Sequence, residues 1–227
     1  MVKLKLFIFI IIFSSVFLVA ALSVYYDFFS VNYLNEVFTS TKDLVDQSYY
    51  LYSVFFFLVY FFVAAFSLPF AGVLSIFIGA LFNFFDAVFI ISLGASLGAL
   101  VSFLFARFTL KSFMEVRYKE QFETINKGLE VNGIFYLFFL RVVPIFPFFI
   151  INILFGITEI PAKKFYLVSL IGMFPGILLY VNAGDQISKI TSINDIYSFN
   201  ILFSIFVIGI FPLIVKKVIY YFKLIKK

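Results

Sequence analysis

Charged residues in this chain are confined to short segments between long uncharged runs. Of its 227 residues, 64% are hydrophobic and only 13% are charged, unlike a soluble globular domain. A membrane-spanning helix needs about 20 consecutive apolar residues. The uncharged runs cover 6–26, 47–85, 87–106, 142–158, 165–184 and 196–215. The chain is therefore predicted to be an all-α polytopic membrane protein.

The first uncharged run has two interpretations. Lys3 and Lys5 precede it, as in a secretory signal peptide. The apolar part of a signal peptide is typically about 7–15 residues long, however, and the run over 6–26 is longer. We therefore expect a retained transmembrane helix in an N-terminal segment 1–48, followed there by an outer acidic loop over 27–46.

Two largely apolar regions do not have the length of a simple span. Residues 47–85 are too many for one helix and few for two, and Pro69 interrupts them. Residues 131–158 are interrupted by Pro144 and Pro147. Irregular backbone survives inside a bilayer only where it is buried in protein or lines a polar cavity. Each region is therefore predicted to be a re-entrant helical hairpin that bends at these prolines.

The two hairpin regions are related by a constant offset. Three residue pairs lie 78 positions apart: Pro69 and Pro147, Gly94 and Gly172, Gly98 and Gly176. The repeated unit is a hairpin followed by one span. Since a hairpin returns the chain to the side it left, the second unit is inverted relative to the first, as in many transporters. Residues 49–198 are predicted to hold this inverted-repeat core, and 199–227 a C-terminal transmembrane helix with a basic tail.

The basic residues predict the orientation. With the N-terminus inside, 14 of the 17 Lys and Arg residues lie inside, in agreement with the positive-inside rule. Lys42 and Lys189 lie outside, and Arg141 lies within the membrane. We therefore expect both termini in the cytoplasm and the protein in the plasma (inner) membrane. The inside set is Lys3, Lys5, Arg107, Lys111, Arg117, Lys119, Lys127, Lys163, Lys164, Lys216, Lys217, Lys223, Lys226 and Lys227.

The longest polar stretch on the inside is predicted to be an amphipathic helix on the inner leaflet. Apolar residues recur at helical spacing over 111–130, with charged residues between them. Asn132-Gly133 is a suitable C-terminal stop for such a helix.

Arg141 is the most informative single residue. A central arginine costs about 2.5–3.5 kcal/mol to insert, so its presence needs a reason. One interpretation is structural, with Arg141 bound to loop carbonyls or reaching the interface. The other is an anion site, since a guanidinium matches phosphate in a fork geometry. The N-termini of the two second hairpin arms would add positive partial charge there, and Asn152 is expected to bind a headgroup or to brace the other hairpin.

Glycines and acidic residues have more ordinary interpretations. Two small-xxx-small patterns predict close helix packing at Gly94, Gly98, Gly172 and Gly176, and similar contacts are expected at Gly79 and Gly156. The acidic residues near the predicted membrane edges are interpreted as solvated helix ends, with proton coupling as the alternative. They are Asp86, Glu159 and Asp185.

Two of the residue types most used in catalysis and metal binding are missing from the chain. It contains no cysteine and no histidine, which excludes disulfides, cysteine or histidine metal sites and a Ser-His-Asp hydrolase. We expect no enzymatic activity, no metal, no cofactor and no nucleic-acid partner.

Several motifs together resemble the DedA/VTT-domain superfamily, also called SNARE-associated Golgi proteins. They are "SLGASLGALVSFLFAR", "LRVVPIFPFFIINILFGIT" and "GMFPGILLYVNAG", and the resemblance covers about Ser67 to Gly184. The resemblance implies two re-entrant hairpins and a role in moving lipids between leaflets. DedA proper typically has a second arginine where this chain has Pro147, and acidic residues near the first bend, where 61–71 carries no charge.

The sequence thus predicts a translocase or scramblase of an anionic lipid, either a phospholipid or a polyprenyl phosphate. The headgroup would pass between the hairpins near Arg141 while the tails stay in the bilayer. Two alternatives remain: a small-ion or solute transporter on the same fold, and a non-transporting membrane organiser in which Arg141 only holds the fold. Whether the protein forms a homo-oligomer stays open.

Overall fold

The computed structural model describes residues 31–68, 70–142, 148–189, 199, 202–204, 206, 207 and 210. Helices form all the regular structure in this part of the chain. No strand occurs among these residues, and the all-α prediction is confirmed. The main described helices are α1 (Val31–Gln47), α2 (Tyr49–Ala65), α3 (Ala71–Leu81), α4 (Phe84–Arg117), α5 (Lys119–Val142), α6 (Phe148–Gly156) and α7 (Ala162–Ile187). The predicted first transmembrane helix, over 6–26, lies outside the described residues, and so does most of the predicted last one, over 196–215.

The described residues belong to two compact units, divided between Ser48 and Tyr49. In the first unit, the predicted acidic loop is wrong, because α1 covers most of it. Residues 31–47 contain no glycine or proline to interrupt a helix. Lys42 and Asp46 form an ion pair of 3.0 Å at the i,i+4 spacing that supports helices.

Two helices of the second unit, α4 and α7, are long and apolar enough to cross a membrane. They have 34 and 26 residues and include the predicted spans 87–106 and 165–184. At a rise of about 1.5 Å per residue, both exceed the hydrocarbon thickness of about 30 Å. Pro161 precedes the first residue of α7 with a φ of −62°, where its missing N–H removes no helical hydrogen bond.

The predicted amphipathic helix over 111–130 is wrong as a separate element. α4 continues to Arg117, the chain bends at Tyr118, and α5 then runs without interruption to Val142. The predicted stop at Asn132-Gly133 is also wrong. A glycine that ends a helix usually adopts a positive φ, and no glycine with a positive φ occurs among the described residues.

The packing of the second unit is centred on α4 and α7, which contact each other. α2 and α6 pack on α4, while α3 and α5 pack on α7. The rings of Phe103 and Phe165 stack between the two central helices with centroids 4.1 Å apart. Leu137 of α5 and Phe155 of α6 join the same buried cluster, so four helices meet at this point.

The shortest helices are α3 and α6, with 11 and 9 residues. The segments before them contain the predicted bends at Pro69, Pro144 and Pro147, which lie outside the described residues. Ser67, just before the first of these bends, has a φ of 55°. This left-handed conformation is uncommon for a residue other than glycine, and it occurs two residues after the end of α2.

Candidate functional site

Arg141 lies in the last turn of α5 and is buried, with only 6% of its surface exposed. Its Nε donates a hydrogen bond of 3.0 Å to Ser169 Oγ on α7. Its Nη2 donates a hydrogen bond of 2.6 Å to Asn152 Oδ1 on α6. Both acceptors belong to residues that are fully buried. The guanidinium therefore connects three helices in the interior of the unit.

Aromatic rings cover the guanidinium. Its Cζ lies 4.9 Å from the ring centroid of Phe148 and 5.2 Å from that of Phe165. Phe148 is the first residue of α6, so the charge of Arg141 lies beside the N-terminal end of that helix. Cation–π contacts are strongest where water is excluded, and they stabilise the charge without neutralising it.

Arg141 has no acidic partner in the described part of the chain. The ion pairs found there join Lys42 to Asp46, Lys111 to Glu115 and Glu159, and Lys189 to Asp185. The hydrogen-bond acceptors of Arg141 are a hydroxyl and an amide oxygen, both neutral. The described residues therefore do not compensate the positive charge of Arg141. Burying a charge without a counter-charge is costly.

Two hydrogen-bond donors at the same place also lack partners. Arg141 Nη1 and Asn152 Nδ2 are buried and make no hydrogen bond among the described residues. Leaving a buried donor unpaired costs about 1–3 kcal/mol. Because Arg141 and Asn152 are already joined by a hydrogen bond, their free donors belong to one cluster. What this cluster lacks is an acceptor, and an anion would supply both the acceptor and the missing negative charge.

Gly172 allows α5 and α7 to approach each other at this site. A Cβ placed on Gly172 would lie 2.7 Å from Arg141 Cβ and 3.3 Å from the carbonyl oxygen of Phe138. Any side chain there would push α5 away and move the guanidinium off Ser169. The predicted close packing at this glycine thus sets the depth at which Arg141 is buried.

A second arginine holds the opposite end of α6. Arg107 of α4 donates from Nε to the Gly156 carbonyl at 3.2 Å, and from Nη2 to the carbonyls of Thr158 and Ile160 at 2.6 and 2.7 Å. Carbonyls at a helix C-terminus lack intrahelical partners and carry negative partial charge. Arg107 therefore caps α6 and fixes the segment after it.

Comparison with known proteins places this arrangement in a family. The family profile described as the VTT domain matches residues 68–186, more than half of the chain. This chain belongs to the VTT-domain family. The resemblance to the DedA/VTT superfamily is thereby confirmed, and the matched residues contain both arginines and all of α3 to α6.

The curated relatives are membrane proteins by name. Transmembrane protein 41B of Xenopus tropicalis is 30% identical over 194 residues, which cover 81% of this chain and 67% of the relative. The Gallus gallus protein of the same name is 29% identical over 188 residues, covering 80% and 67%. An uncharacterized membrane protein of Arabidopsis thaliana is 28% identical over 164 residues, covering 70% of this chain but only 57% of the relative. No solved structure matches the chain.

Four more glycines of this VTT-domain protein lie at close helix contacts. A Cβ on Gly98 would lie 2.5 Å from Ala64 Cβ on α2, and one on Gly79 would lie 2.7 Å from Val181 Cα on α7. A Cβ on Gly156 would lie 2.6 Å from the Phe103 carbonyl oxygen on α4, and one on Gly94 would lie 3.1 Å from Tyr60 Cβ on α2. Gly176 does not fit the prediction, because nothing lies within 4 Å of a Cβ placed there. Its repeat spacing is right, but it faces open space.

The acidic residues singled out in the sequence lie away from Arg141. Asp86 accepts a hydrogen bond from Tyr49 Oη near the start of α4. Glu159 pairs with Lys111 at 2.8 Å, and Asp185 pairs with Lys189 at 2.7 Å. No cluster of three acidic residues that could hold a metal ion occurs among the described residues.

Sequence reasoning missed two residues of this arrangement, Ser169 and Arg107. Ser169 precedes Gly172 by three residues on α7, so helical spacing alone would have placed it on the face turned to α5. Arg107 ends an apolar run and was counted as an ordinary inside charge. Nothing in the sequence indicates that its side chain turns back to cap α6.

Proposed function

We propose that this protein moves an anionic phospholipid between the two membrane leaflets, and that the phosphate is held transiently at Arg141. The observation that carries the proposal is the pair of buried donors, Arg141 Nη1 and Asn152 Nδ2, that have no partner among the described residues. They lie beside a charge that has no acidic partner in the same part of the chain. A phosphate oxygen accepts hydrogen bonds from a guanidinium in a fork geometry. A neutral ligand would satisfy the donors but leave the charge uncompensated.

The position of α6 strengthens the preference for an anion. The N-terminus of a helix carries about half a positive charge and points N–H groups outward. Phe148, the first residue of α6, is in contact with the guanidinium. Two sources of positive potential therefore lie side by side in a water-poor environment, where electrostatic interactions are strong.

The lengths of the helices support a site near the middle of the bilayer. The apolar part of α5 covers Gly133–Val142, and Arg141 is about 12 Å along the helix from Gly133 at about 1.5 Å per residue. Half of the hydrocarbon core is about 15 Å. The following helix, α6, is about 14 Å long by the same rise. We propose that α5 and α6 form a re-entrant hairpin, and that α2 and α3 form the other.

The packing supports the proposed inverted repeat. In the first repeat, α2 packs on its own span α4, and α3 packs on the other span, α7. In the second repeat, α5 packs on its own span α7, and α6 packs on the other span, α4. Each hairpin therefore packs one helix on its own span and the other helix on the span of the other repeat, so the two repeats make equivalent contacts. The glycines follow the same rule, since Gly94 faces α2 and Gly172 faces α5.

We propose the inner membrane as the location, with both termini in the cytoplasm. The support is the charge distribution, with 14 of 17 basic residues on one side. In this orientation α5 enters from the cytoplasmic side. A lipid would then reach the site at Arg141 from the inner leaflet, by passing the cytoplasmic start of α5.

A non-transporting role has one observation in its favour. Arg141 bonds to both Ser169 and Asn152, and such a link could serve only to hold α5, α6 and α7 together. The unpaired donors weigh against this role. A purely structural network gains stability by satisfying every buried member, and a partly satisfied network is costly.

The test is lipid transfer in reconstituted liposomes, followed with an anionic phospholipid probe that is bleached only in the outer leaflet. Arg141→Gln should reduce transfer to the rate of protein-free vesicles. Lys164→Gln removes the same charge from an exposed position near the start of α7 and should transfer at the parental rate. Both variants are checked for monodispersity in detergent. A folded Arg141→Gln protein that transfers lipid at the parental rate would overturn the proposal.

A further inference from the structure

An apolar groove lies on the outside of the unit between α5 and α7. Its volume is about 310 Å³, and it is lined by Ile134, Phe135, Phe138, Val168 and Ile171. This volume is at the lower end of the range of about 300–1,000 Å³ for small-molecule pockets. Phe135 and Ile171 are 63% and 62% exposed. These five residues are called the α5–α7 groove below.

The groove ends at the Arg141 site. Phe138 lies one helical turn before Arg141 on α5, and on α7 Val168 immediately precedes Ser169. The two helices come closest at Gly172, where a Cβ would meet both Arg141 Cβ and the Phe138 carbonyl oxygen. An apolar surface open to the bilayer and a buried cationic cluster therefore share one helix crossing.

We infer that the α5–α7 groove holds an acyl chain of the anionic glycerophospholipid whose phosphate is bound at Arg141. This inference rests on the proposed function and adds to it a binding site for an acyl chain of the substrate. Charge complementarity places the phosphate at the unpaired donors of Arg141 and Asn152. The entirely apolar lining places the chain beside it. A free phosphate would use the first part of this surface and not the second.

The arrangement also predicts how the bound lipid is oriented. The groove lies on the side of Arg141 that faces the start of α5 at Lys119. With the proposed cytoplasmic start of α5, a chain in the groove points toward the inner face while its phosphate lies deeper. A resting inner-leaflet lipid has the opposite orientation. A lipid bound in the groove is therefore inverted relative to a resting inner-leaflet lipid, because its headgroup lies deeper in the membrane than its chain.

The absence of tryptophan from the sequence permits a direct test with single-tryptophan reporters. Phe135→Trp places the reporter in the groove. Phe105→Trp is the matched control, because Phe105 of α4 is 68% exposed and is not part of the groove. Ile171→Trp is a second groove reporter on the other helix. Each full-length variant is reconstituted in neutral phospholipid that contains a small fraction of anionic phospholipid with brominated acyl chains, which quench tryptophan on contact.

The groove reporters should be quenched as if the anionic lipid were enriched about fivefold around them relative to the Phe105→Trp control, as one favourable basic contact predicts. Brominated neutral lipid should quench all reporters alike. Adding Arg141→Gln to either groove reporter should remove the enrichment. Unbrominated anionic phospholipid should compete, whereas inorganic phosphate should not.

Equal quenching of the groove and control reporters by the anionic lipid would overturn the inference, even if Arg141→Gln stops lipid transfer. Relief of quenching by inorganic phosphate would also overturn it, since the site would then select the free anion. A different result would show that the proposed function itself is wrong, namely unchanged lipid transfer by Arg141→Gln. Circular dichroism and monodispersity of each reporter establish that it is folded before these comparisons.

Discussion

Arg141 Nη2 lies 2.6 Å from Asn152 Oδ1, and each of these two residues keeps one buried donor that has no partner in the part of the chain that the structure describes. A bond between two side chains that leaves both partly unsatisfied is not the arrangement that best stabilises a fold. It is better suited to a third group that binds and leaves. Substitutions at Arg141 and Asn152 separate this role from simple support of the helices.

Replacing Arg141 by lysine tests the fork geometry. Lysine keeps the charge but cannot donate in parallel from a planar group. Losing one charge-assisted hydrogen bond of about 1.5–3 kcal/mol corresponds to about a 10- to 100-fold loss of transfer rate. Lipid transfer in liposomes should therefore be slow but measurable in Arg141→Lys and absent in Arg141→Gln. Equal rates in the two variants would show that the fork is not used.

The glycines offer a matched pair for testing helix packing. Gly98→Ala should destabilise the protein by about 1–3 kcal/mol, the usual cost of overpacking, because its Cβ would lie 2.5 Å from Ala64 Cβ. Gly176→Ala should be neutral or stabilising by up to about 1 kcal/mol, since its Cβ meets nothing within 4 Å and alanine favours the helix. Thermal unfolding in detergent measures both. The same melting temperature in the two variants would contradict the packing.

Composition and the uncharged runs were enough to predict an all-α membrane protein with central spans at α4 and α7. Helix ends were harder, because tertiary contacts decide them. α4 continues past Ala106 while Arg107 and Lys111 bind the segment after α6. Asn132-Gly133 has the composition of a stop but stays helical. Repeat spacing found the glycines, yet spacing does not say which face of a helix meets a neighbour, and Gly176 is wrong for that reason.

At the candidate site, Arg141 and Asn152 were visible in the sequence because they are polar residues inside an apolar run. The structure brings their side chains together. Ser169 is not conspicuous in the sequence, since serine is common in transmembrane helices and its burial there costs little free energy. Phe165 and Phe148 were equally hidden among many phenylalanines. Only the three-dimensional packing shows which rings cover the guanidinium.

Arg107 is predicted to be a positioning residue that acts through α6. Arg107→Gln removes the charge and breaks most of its contacts with the carbonyls of Gly156, Thr158 and Ile160. Since one hydrogen bond to a charged group contributes about 1.5–3 kcal/mol, the variant should unfold several degrees lower in detergent. Lys111→Gln is the control, because its ion pairs are partly exposed and such pairs contribute about 0–1 kcal/mol. A loss no larger than that of the control would contradict the capping role.

The orientation can be tested with single cysteines, because the chain has none of its own. Lys119→Cys lies at the start of α5 and should be protected from an impermeant maleimide in intact cells. Lys189→Cys lies just after α7 and should be labelled at once. The expectation follows from the asymmetry of the basic residues. Rapid labelling at position 119 would reverse the proposed topology.

Asn152→Asp is the substitution that best distinguishes an anion-binding role of Arg141 from a purely structural role of its contact with Asn152. The new carboxylate would occupy the place of the amide that now accepts from Arg141 Nη2. It would replace the unpaired Asn152 Nδ2 donor by an oxygen acceptor and add a negative charge to balance the guanidinium. A bidentate Arg–carboxylate pair is among the strongest polar contacts in proteins. The melting temperature in detergent should therefore stay the same or rise.

Lipid transfer by Asn152→Asp should instead fall to the protein-free rate, because the built-in carboxylate takes the position of the lipid phosphate and repels it. Asn152→Ala serves as the control. It removes one neutral partner and should reduce transfer by less than about tenfold, since such a hydrogen bond contributes about 0.5–1.5 kcal/mol. If Arg141 only holds helices together, the better-paired Asn152→Asp protein should work at least as well as the parent. Full transfer activity in a stable Asn152→Asp variant would thus leave Arg141 with a structural role alone.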